Sequence, residues 1–146
     1  MTGGGAFRFA LDTSVEIADT DLGGVVYFGS YPRLLDRGLL AYRRHLDIPL
    51  LGPEGHLFVV RRMTIEYLRS ARFGDALIVR VRTARLGRSS HTMAYAIENA
   101  ATGVTLATAE QIIVGVSGYD DGRPTRVPDE LVARVAGFEG PGLGRG

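Results

Sequence analysis

The chain contains no cysteine, no tryptophan and no lysine in its 146 residues. Without cysteine it cannot form disulfides, use a thiol nucleophile or bind a metal ion through thiolates. Without lysine it cannot form a Schiff base with a carbonyl substrate or build a Walker-type phosphate-binding loop. All 17 basic residues are therefore arginines, so any anion-binding site must be a local arginine cluster.

Net charge and hydropathy exclude further partners. The formal net charge is +1, which gives no overall basic field for nucleic acid. No apolar run reaches the ~18 residues of a membrane-spanning helix. The first residues also lack the basic and apolar regions of a secretory signal. We therefore expect a cytoplasmic protein with no nucleic-acid partner and no membrane insertion.

The length fits one domain, because domains usually contain ~100–200 residues. Glycine dominates both termini, and glycine-rich segments cannot bury enough apolar surface to offset the entropy of ordering. We expect a single domain over residues 1–146, with flexible tails at about 1–6 and 139–146.

Hydrophobic periodicity predicts one strand, one long helix and four more strands. Apolar residues alternate over residues 7–17, and they follow helical spacing over residues 30–46. Gly38 inside that helix suggests close packing against another element. Short turns imply antiparallel neighbours among the later strands. Those strands cover residues 57–69, 75–85, 89–99 and 105–116, and a short helix is expected within 124–135. This order predicts an α+β fold with a five-stranded sheet wrapped around one long helix.

An acidic, glycine-containing segment precedes the helix and reads Asp19-Thr20-Asp21-Leu22-Gly23-Gly24-Val25-Val26-Tyr27-Phe28. Most such segments are turns in which aspartates accept backbone hydrogen bonds. A carboxylate near a helix start also suits catalysis, because the free N–H groups there can polarise a substrate carbonyl. The residues alone leave both interpretations open.

The same segment, extended to Tyr31, resembles the signature of hotdog-fold acyl-CoA thioesterases of the 4-hydroxybenzoyl-CoA and YbgC-like (Tol-Pal-associated) types. The resemblance continues through residues 58–67, 71–75, 87–90 and 124–128. It implies the hotdog fold, with a five-stranded antiparallel sheet around the helix, and hydrolysis of acyl-CoA without a retained cofactor. It also implies a homodimer or homotetramer, in which the pocket forms between the helix start of one protomer and strands of the other.

The resemblance assigns roles to individual residues. Asp21 is the catalytic nucleophile or general base, and the backbone N–H of Phe28 polarises the carbonyl. Asp19 is expected to bond the turn. Many YbgC-like relatives carry histidine where this chain has Phe28, but a backbone donor survives that change. The expected substrate-binding residues are Gly24, Tyr27 and Tyr31 near the helix start, and Arg88, Ser89 and Ser90 in a turn that would hold the phosphates of coenzyme A.

Two alternatives stay open at this point. A hotdog hydratase-dehydratase acting on enoyl or hydroxyacyl thioesters is disfavoured, because residues 21–31 contain no histidine to pair with the carboxylate. A non-catalytic acyl-ligand sensor would retain the fold without turnover. The three histidines, His45, His56 and His91, match no metal-binding motif, and we expect structural roles for them and no metal site.

Overall fold

The structure is a computed structural model that describes residues 6–49, 56–120 and 122–146. Its helices and strands follow the order expected from hydrophobic periodicity, with one further strand at the C-terminal end. They are β1 (Phe9–Ser14), α1 (Tyr31–His45), β2 (Leu57–Tyr67), β3 (Ala76–Leu86), β4 (Ser90–Asn99), β5 (Thr105–Val116), α2 (Asp129–Glu139) and β6 (Gly144–Arg145). Neither α1 nor α2 is long and apolar enough to span a membrane.

The strands form one sheet in the order β1-β3-β4-β5-β2, with antiparallel pairing along this path. The sixth strand, β6, pairs with β3 in parallel. The expectation of five antiparallel strands was therefore wrong by one short parallel strand. β1 pairs with β3 only as far as Val81, so the edge of β3 beyond Val81 is open to pairing with β6. The two residues of β6 are too few to show an alternating pattern in the sequence.

The C-terminal residues differ from the predicted flexible tail. A 3-10 turn covers Gly140–Gly142, and β6 then pairs with β3 through Arg85 and Leu86. Pairing with an open strand edge orders the segment despite its glycine content, because the backbone gains hydrogen bonds that need no side chain. Residues 1–5, which belong to the other predicted tail, lie outside the described residues.

Helix α1 packs on β1 and β3 through a stripe of apolar residues. Gly38 lies against β3 so closely that a Cβ atom there would approach Val79 Cγ1 to 2.6 Å and Val81 Cγ2 to 2.9 Å. The close packing expected at Gly38 is thus confirmed. This close contact between Gly38 and β3 fixes the position of α1 on the sheet. The candidate site lies at the start of α1.

The two ends of the sheet carry different connections. The hairpin end is the end where β3 begins, beside the segment that precedes α1. The turn end is the opposite end, where residues 87–89 join β3 to β4. At the turn end the carboxylate of Glu139 on α2 is buried, and it accepts hydrogen bonds from the Tyr42 hydroxyl (2.6 Å) and the Thr83 N–H (2.8 Å).

Strand β2 is the last strand on its side of the sheet, and its outer edge pairs with no strand of the described ranges. Val60 and Tyr67 on this strand are about half exposed. An unpaired edge that presents apolar side chains is a surface on which strand pairing with another chain is favoured.

Candidate active site

A tight hairpin formed by residues 19–27 carries the candidate catalytic carboxylate. The Tyr27 N–H donates to the Asp19 carbonyl at 2.9 Å, and the Asp21 N–H donates to the Val25 carbonyl at 3.0 Å. Gly24 closes the turn at φ +77°, a backbone conformation that side chains other than glycine rarely adopt. Asp21 therefore lies at the tip of the hairpin, and Phe28 follows its second strand.

The Asp21 side chain is exposed to solvent. Its Oδ1 atom accepts a hydrogen bond from the Gly23 N–H at 2.8 Å. In the described part of the chain its Oδ2 atom has no partner, so one oxygen is free to accept a proton or attack a carbonyl. A carboxylate that meets water and holds one oxygen unpaired can act as a base or as a nucleophile.

Asp19, two residues earlier, has the opposite surroundings. Its side chain is 0% exposed. It accepts a hydrogen bond from the Glu16 N–H at 2.9 Å and ion-pairs with Arg37 at 3.3 Å. Since Arg37 lies on α1, this ion pair ties the hairpin to the helix. Asp19 bonds the turn, as expected, and holds Asp21 in place relative to α1.

Phe28 begins a 3-10 turn that runs directly into α1. Its N–H group has no acceptor in the ranges that the structure describes. The Tyr31 N–H donates to the Phe28 carbonyl, and Pro32 has no N–H, so the free donor at this place is the Phe28 N–H. The N-terminal end of the helix dipole adds positive potential there. One N–H donor in such a potential can stabilise an oxyanion.

Aromatic rings surround the start of α1. The Tyr27 and Phe28 rings lie 4.7 Å apart between centroids, and both are partly exposed. Tyr31 is only 4% exposed, and its ring packs edge-on against Tyr67 at 5.0 Å. Tyr27 and Phe28 are therefore accessible from solvent beside the helix start, whereas Tyr31 belongs mainly to the core.

The predicted coenzyme A turn lies far from Asp21 in the same chain. Arg88 is exposed, and its carbonyl accepts the Val127 N–H at 2.8 Å. The Ser89 carbonyl likewise accepts a hydrogen bond from the Gly115 N–H at 2.8 Å. The 11 residues of β3 separate this turn from the hairpin end, and a strand of that length spans about 35 Å at ~3.3 Å per residue. One protomer thus brings together Asp21, Gly24, Tyr27, Phe28 and Tyr31, but it does not bring Arg88, Ser89 and Ser90 to them.

Two residues near the site have no signal in the sequence. Arg37 holds Asp19, but nothing distinguishes it from the other arginines before its position in space is known. Tyr67 donates a hydrogen bond to the Phe28 carbonyl at 3.3 Å, and so helps to orient the peptide group at the helix start. Both residues come from other segments of the chain than the groups they contact, and only the fold brings them close to Asp19 and Phe28.

No group of three or more metal-binding side chains occurs in the described ranges. His45 packs against Phe9 and Phe138, with ring centroids 5.4 Å and 5.3 Å away. His56 and His91 both pack edge-on against Phe58. None of the three reaches the Asp21 hairpin by a contact in the structure.

Comparison with known proteins was consistent in family and fold. A family model described as the thioesterase-like superfamily matches residues 15–135. The acyl-CoA thioester hydrolase YbgC of Escherichia coli O6:H1 is 33% identical over 127 residues, which cover 86% of this chain and 93% of that protein. The E. coli protein therefore aligns across almost its full length.

Two solved structures are similar in both sequence and fold. A probable thioesterase from Bartonella henselae is 32% identical, with a TM-score of 0.75, and the match covers 84% of this chain and 100% of that one. A thioesterase from Thermus thermophilus, solved with coenzyme A and Zn, is 32% identical with a TM-score of 0.78. That match covers 92% of this chain and 96% of the other. With the family model, these matches show that the chain belongs to the thioesterase-like superfamily and is a thioester hydrolase with a YbgC-like hotdog fold.

Proposed function

We propose that this protein hydrolyses acyl-CoA thioesters at the hairpin end of the sheet. The observation that carries the proposal is the pairing of an exposed carboxylate, Asp21, with a helix start whose Phe28 N–H has no acceptor in the described chain. Acyl-CoA as the substrate class is supported by the name of the E. coli relative and by the coenzyme A bound to the T. thermophilus structure.

In the proposed reaction the thioester carbonyl oxygen accepts a hydrogen bond from the Phe28 N–H. Asp21 then removes a proton from a water molecule as the water oxygen attacks the carbonyl carbon. Negative charge develops on the carbonyl oxygen, where the N–H and the helix dipole stabilise it. The tetrahedral intermediate collapses, the carbon–sulfur bond breaks, and the proton held by Asp21 passes to the departing thiolate.

The same geometry supports a covalent route. Here the free Asp21 oxygen attacks the carbonyl carbon and expels the thiolate, giving a mixed anhydride that water then hydrolyses. Both routes need one unpaired carboxylate oxygen and one oxyanion donor. Single-turnover hydrolysis in water labelled with oxygen-18 identifies the covalent route when water attacks the Asp21 carbon of the anhydride, because label then enters the Asp21 side chain, which the general-base route cannot produce.

The separation of Asp21 and Arg88 within one chain, by about the length of β3, is explained if the active form is a two-fold dimer built on the free β2 edge. Antiparallel pairing of two β2 strands sets the start of one strand beside the end of the other. Tyr67 ends β2 near Phe28, and Leu57 begins β2 at the turn end, where it pairs with Val116. The two-fold operation therefore brings Arg88 of the partner subunit toward the hairpin end of this chain.

Mixed dimers test this arrangement directly. Asp21→Asn and Arg88→Ala protomers, each poorly active alone, are co-expressed with different tags, and the mixed dimer is purified through both. If each site uses Asp21 from one protomer and Arg88 from the other, the mixed dimer contains one intact site. It should then recover about half of the wild-type activity per dimer. Recovery of no activity would contradict a shared site.

A panel of acyl-CoA substrates, followed by release of free thiol, tests the reaction itself. We expect hydrolysis of at least one acyl-CoA, and no hydration of a crotonyl thioester. Hydration without thiol release would favour a hydratase, and saturable acyl-CoA binding without either reaction would favour a ligand sensor.

A further inference from the structure

A polar cluster lies between α1 and the inner face of the sheet, away from the catalytic hairpin. Its members are Arg43 on α1, Phe58 on β2 and His91 on β4. The Arg43 Cζ atom lies 5.0 Å above the centroid of the Phe58 ring, and the His91 ring packs edge-on against the same ring at 5.2 Å. The His56 ring also packs edge-on against Phe58, with centroids 4.6 Å apart.

The cluster is unusual because its polar groups lack partners. The Arg43 guanidinium makes no hydrogen bond and no ion pair with any residue in the described ranges, and it lies over the Phe58 ring. His91 is 4% exposed, and its Nε2 atom is buried without a hydrogen-bond partner. The large majority of buried polar atoms in folded proteins are hydrogen-bonded, because leaving one unpaired costs about 1–3 kcal/mol.

The charge of the cluster is positive, and no carboxylate of the described ranges forms an ion pair with it. Burial lowers the pKa of the Arg43 guanidinium, interactions with Tyr95 and Asp36 raise it, and the group stays protonated. Burial, with further contributions from Arg43 and His56, lowers the pKa of His91 to about 3, so His91 is neutral at pH 7. Asp36 lies two turns earlier on α1 and acts on Arg43 through its field. The cluster therefore offers a guanidinium and a buried imidazole Nε2 atom that have no hydrogen-bond partner in the described chain.

The position of the cluster relates it to the catalytic groups. Tyr31, at the start of α1, contacts Tyr67 at the end of β2, and Arg43, near the end of α1, contacts Phe58 at the start of β2. The strip between α1 and β2 thus leads from Phe28 toward Arg43. Arg43 follows Tyr31 by about 18 Å along the helix axis at 1.5 Å per residue, and helical side chains lean back toward the N-terminus, which shortens this path.

We infer that Arg43 and His91 form a specificity site for the far end of the acyl group, and that the preferred acyl group ends in a carboxylate. This inference rests on the proposed thioesterase function. A terminal carboxylate would accept charge-assisted hydrogen bonds from the Arg43 guanidinium, and the buried Nε2 atom of His91, when it carries the ring proton, would donate another. An acyl chain with a methyl end would leave the guanidinium unpaired, so the site discriminates between chains of equal length by their end groups.

The test compares pairs of CoA thioesters that differ only at the far end. Suberoyl-CoA, the half-thioester of a dicarboxylic acid, is compared with octanoyl-CoA, and adipoyl-CoA and sebacoyl-CoA are compared with hexanoyl-CoA and decanoyl-CoA. We expect kcat/KM to be at least about tenfold higher for one carboxylated member than for its methyl-ended partner, the factor that one charge-assisted bond supplies. Equal or lower values for all three carboxylated substrates overturn the inference.

Matched variants assign the preference to Arg43. Arg43→Met keeps an unbranched side chain of similar length without the charge, and it should bring the carboxylate-to-methyl ratio to one or below. Arg44→Met removes an exposed arginine at the next position, and it should leave the wild-type ratio in place. Arg43→Lys keeps the charge and should restore part of the preference. A ratio that persists in Arg43→Met overturns the assignment.

A binding readout separates this inference from the proposed function. Free suberate and free octanoate are titrated into the protein by calorimetry, with no thioester present. We expect suberate to bind at least about tenfold more tightly, and we expect the difference to disappear in Arg43→Met. Hydrolysis of methyl-ended substrates without a suberate preference overturns the inference and leaves the thioesterase function standing. Suberate selectivity without any thioester hydrolysis overturns the thioesterase function and supports the anion site. If Arg43→Met does not fold, the wild-type substrate and product comparisons decide.

Discussion

Two carboxylates at opposite ends of the sheet have opposite surroundings. Asp21, at the hairpin end, is exposed and accepts one hydrogen bond, from the Gly23 N–H. Glu139, at the turn end, is 4% exposed and accepts hydrogen bonds from the Tyr42 hydroxyl and the Thr83 N–H. Buried and bonded, Glu139 can contribute to stability but cannot meet a substrate. Because Asp21 is exposed and only one of its oxygens accepts a hydrogen bond, it contributes little to stability and can reach a substrate.

The largest effect on activity is expected from removing the charge of Asp21. Asp21→Asn keeps an oxygen that can accept the Gly23 N–H, but it removes the base and most of the nucleophilicity. We expect kcat for acyl-CoA hydrolysis to fall by ~10²–10⁴-fold, the range that general-base catalysis usually supplies. The free energy of unfolding should change little. Steady-state thiol release and urea unfolding measure the two quantities.

Asp19→Asn is the matched control for that substitution, because it changes the same residue type two positions earlier. Asp19 is buried and paired with Arg37, so its variant should lose stability before it loses turnover per folded molecule. A folded Asp21→Asn variant that retained most of its hydrolysis would remove Asp21 from the mechanism.

The opposite pattern is expected for Glu139. Glu139→Leu leaves the buried Thr83 N–H without an acceptor and leaves the Tyr42 hydroxyl with the Thr83 hydroxyl as its partner, which should lower the free energy of unfolding by about 1–3 kcal/mol. The kcat of the folded protein should not change. Glu130→Leu on the same helix is the control, because it breaks only the exposed pair with Arg134, which is worth less than about 1 kcal/mol. Unfolding must be compared at one protein concentration.

Arg88 extends the comparison to substrate binding. If Arg88 binds a phosphate of coenzyme A, Arg88→Ala should raise KM for acyl-CoA by about tenfold to a hundredfold, since a charge-assisted bond is worth ~1.5–3 kcal/mol. Hydrolysis of a short thioester without the nucleotide should barely change. An equal loss on both substrates would show that the turn acts on the fold instead.

The smallest expected effect concerns pH. The folded-state pKa of His91 is lowered to about 3, first by burial and then by Arg43 and His56, whereas the unfolded value is about 6.5. The unfolded chain therefore binds more protons between these values, and the contribution of His91 to stability is present above pH 6.5 and is lost as the pH falls below it. Between pH 7 and pH 5 the wild type should lose about 2 kcal/mol through this residue. His91→Phe should show a correspondingly smaller loss in urea unfolding, and an identical pH dependence would contradict the assignment.

Periodicity predicted the long elements well, because each buries one apolar face for most of its length. The helix at Tyr31–His45 and the strands β2 to β5 lie within a few residues of their predicted bounds. β1 is shorter than predicted, since Ile17 continues the alternation in sequence but lies exposed in a 3-10 turn. β6 was missed because its pairing depends on an edge that β1 leaves open, which no local pattern encodes.

The candidate site was only partly predictable for a related reason. The Asp21 hairpin and the Phe28 helix start are adjacent in sequence, so one motif identifies both. Arg37, Tyr67 and the Arg43–His91 cluster depend on contacts between distant segments, and a single sequence carries no sign of such contacts. His91 illustrates this limit, since its position on the inner face fits an ordinary core histidine and only its unpaired nitrogen and its neighbour Arg43 suggest otherwise.

The close contact between Gly38 and β3 means that a substitution in the core can change the geometry of the candidate site. A methyl group at this position would meet Val79 and Val81 and would push α1 away from β3. The Phe28 N–H is attached to the start of the same helix, while Asp21 is carried on a hairpin that also bonds to the segment before β3, through the Ala71 carbonyl and the Phe73 N–H. Gly38→Ala would therefore change the spacing between acid and amide without touching either group. In this protein the thickness of one layer of core packing sets the distance between the Asp21 hairpin and the helix start.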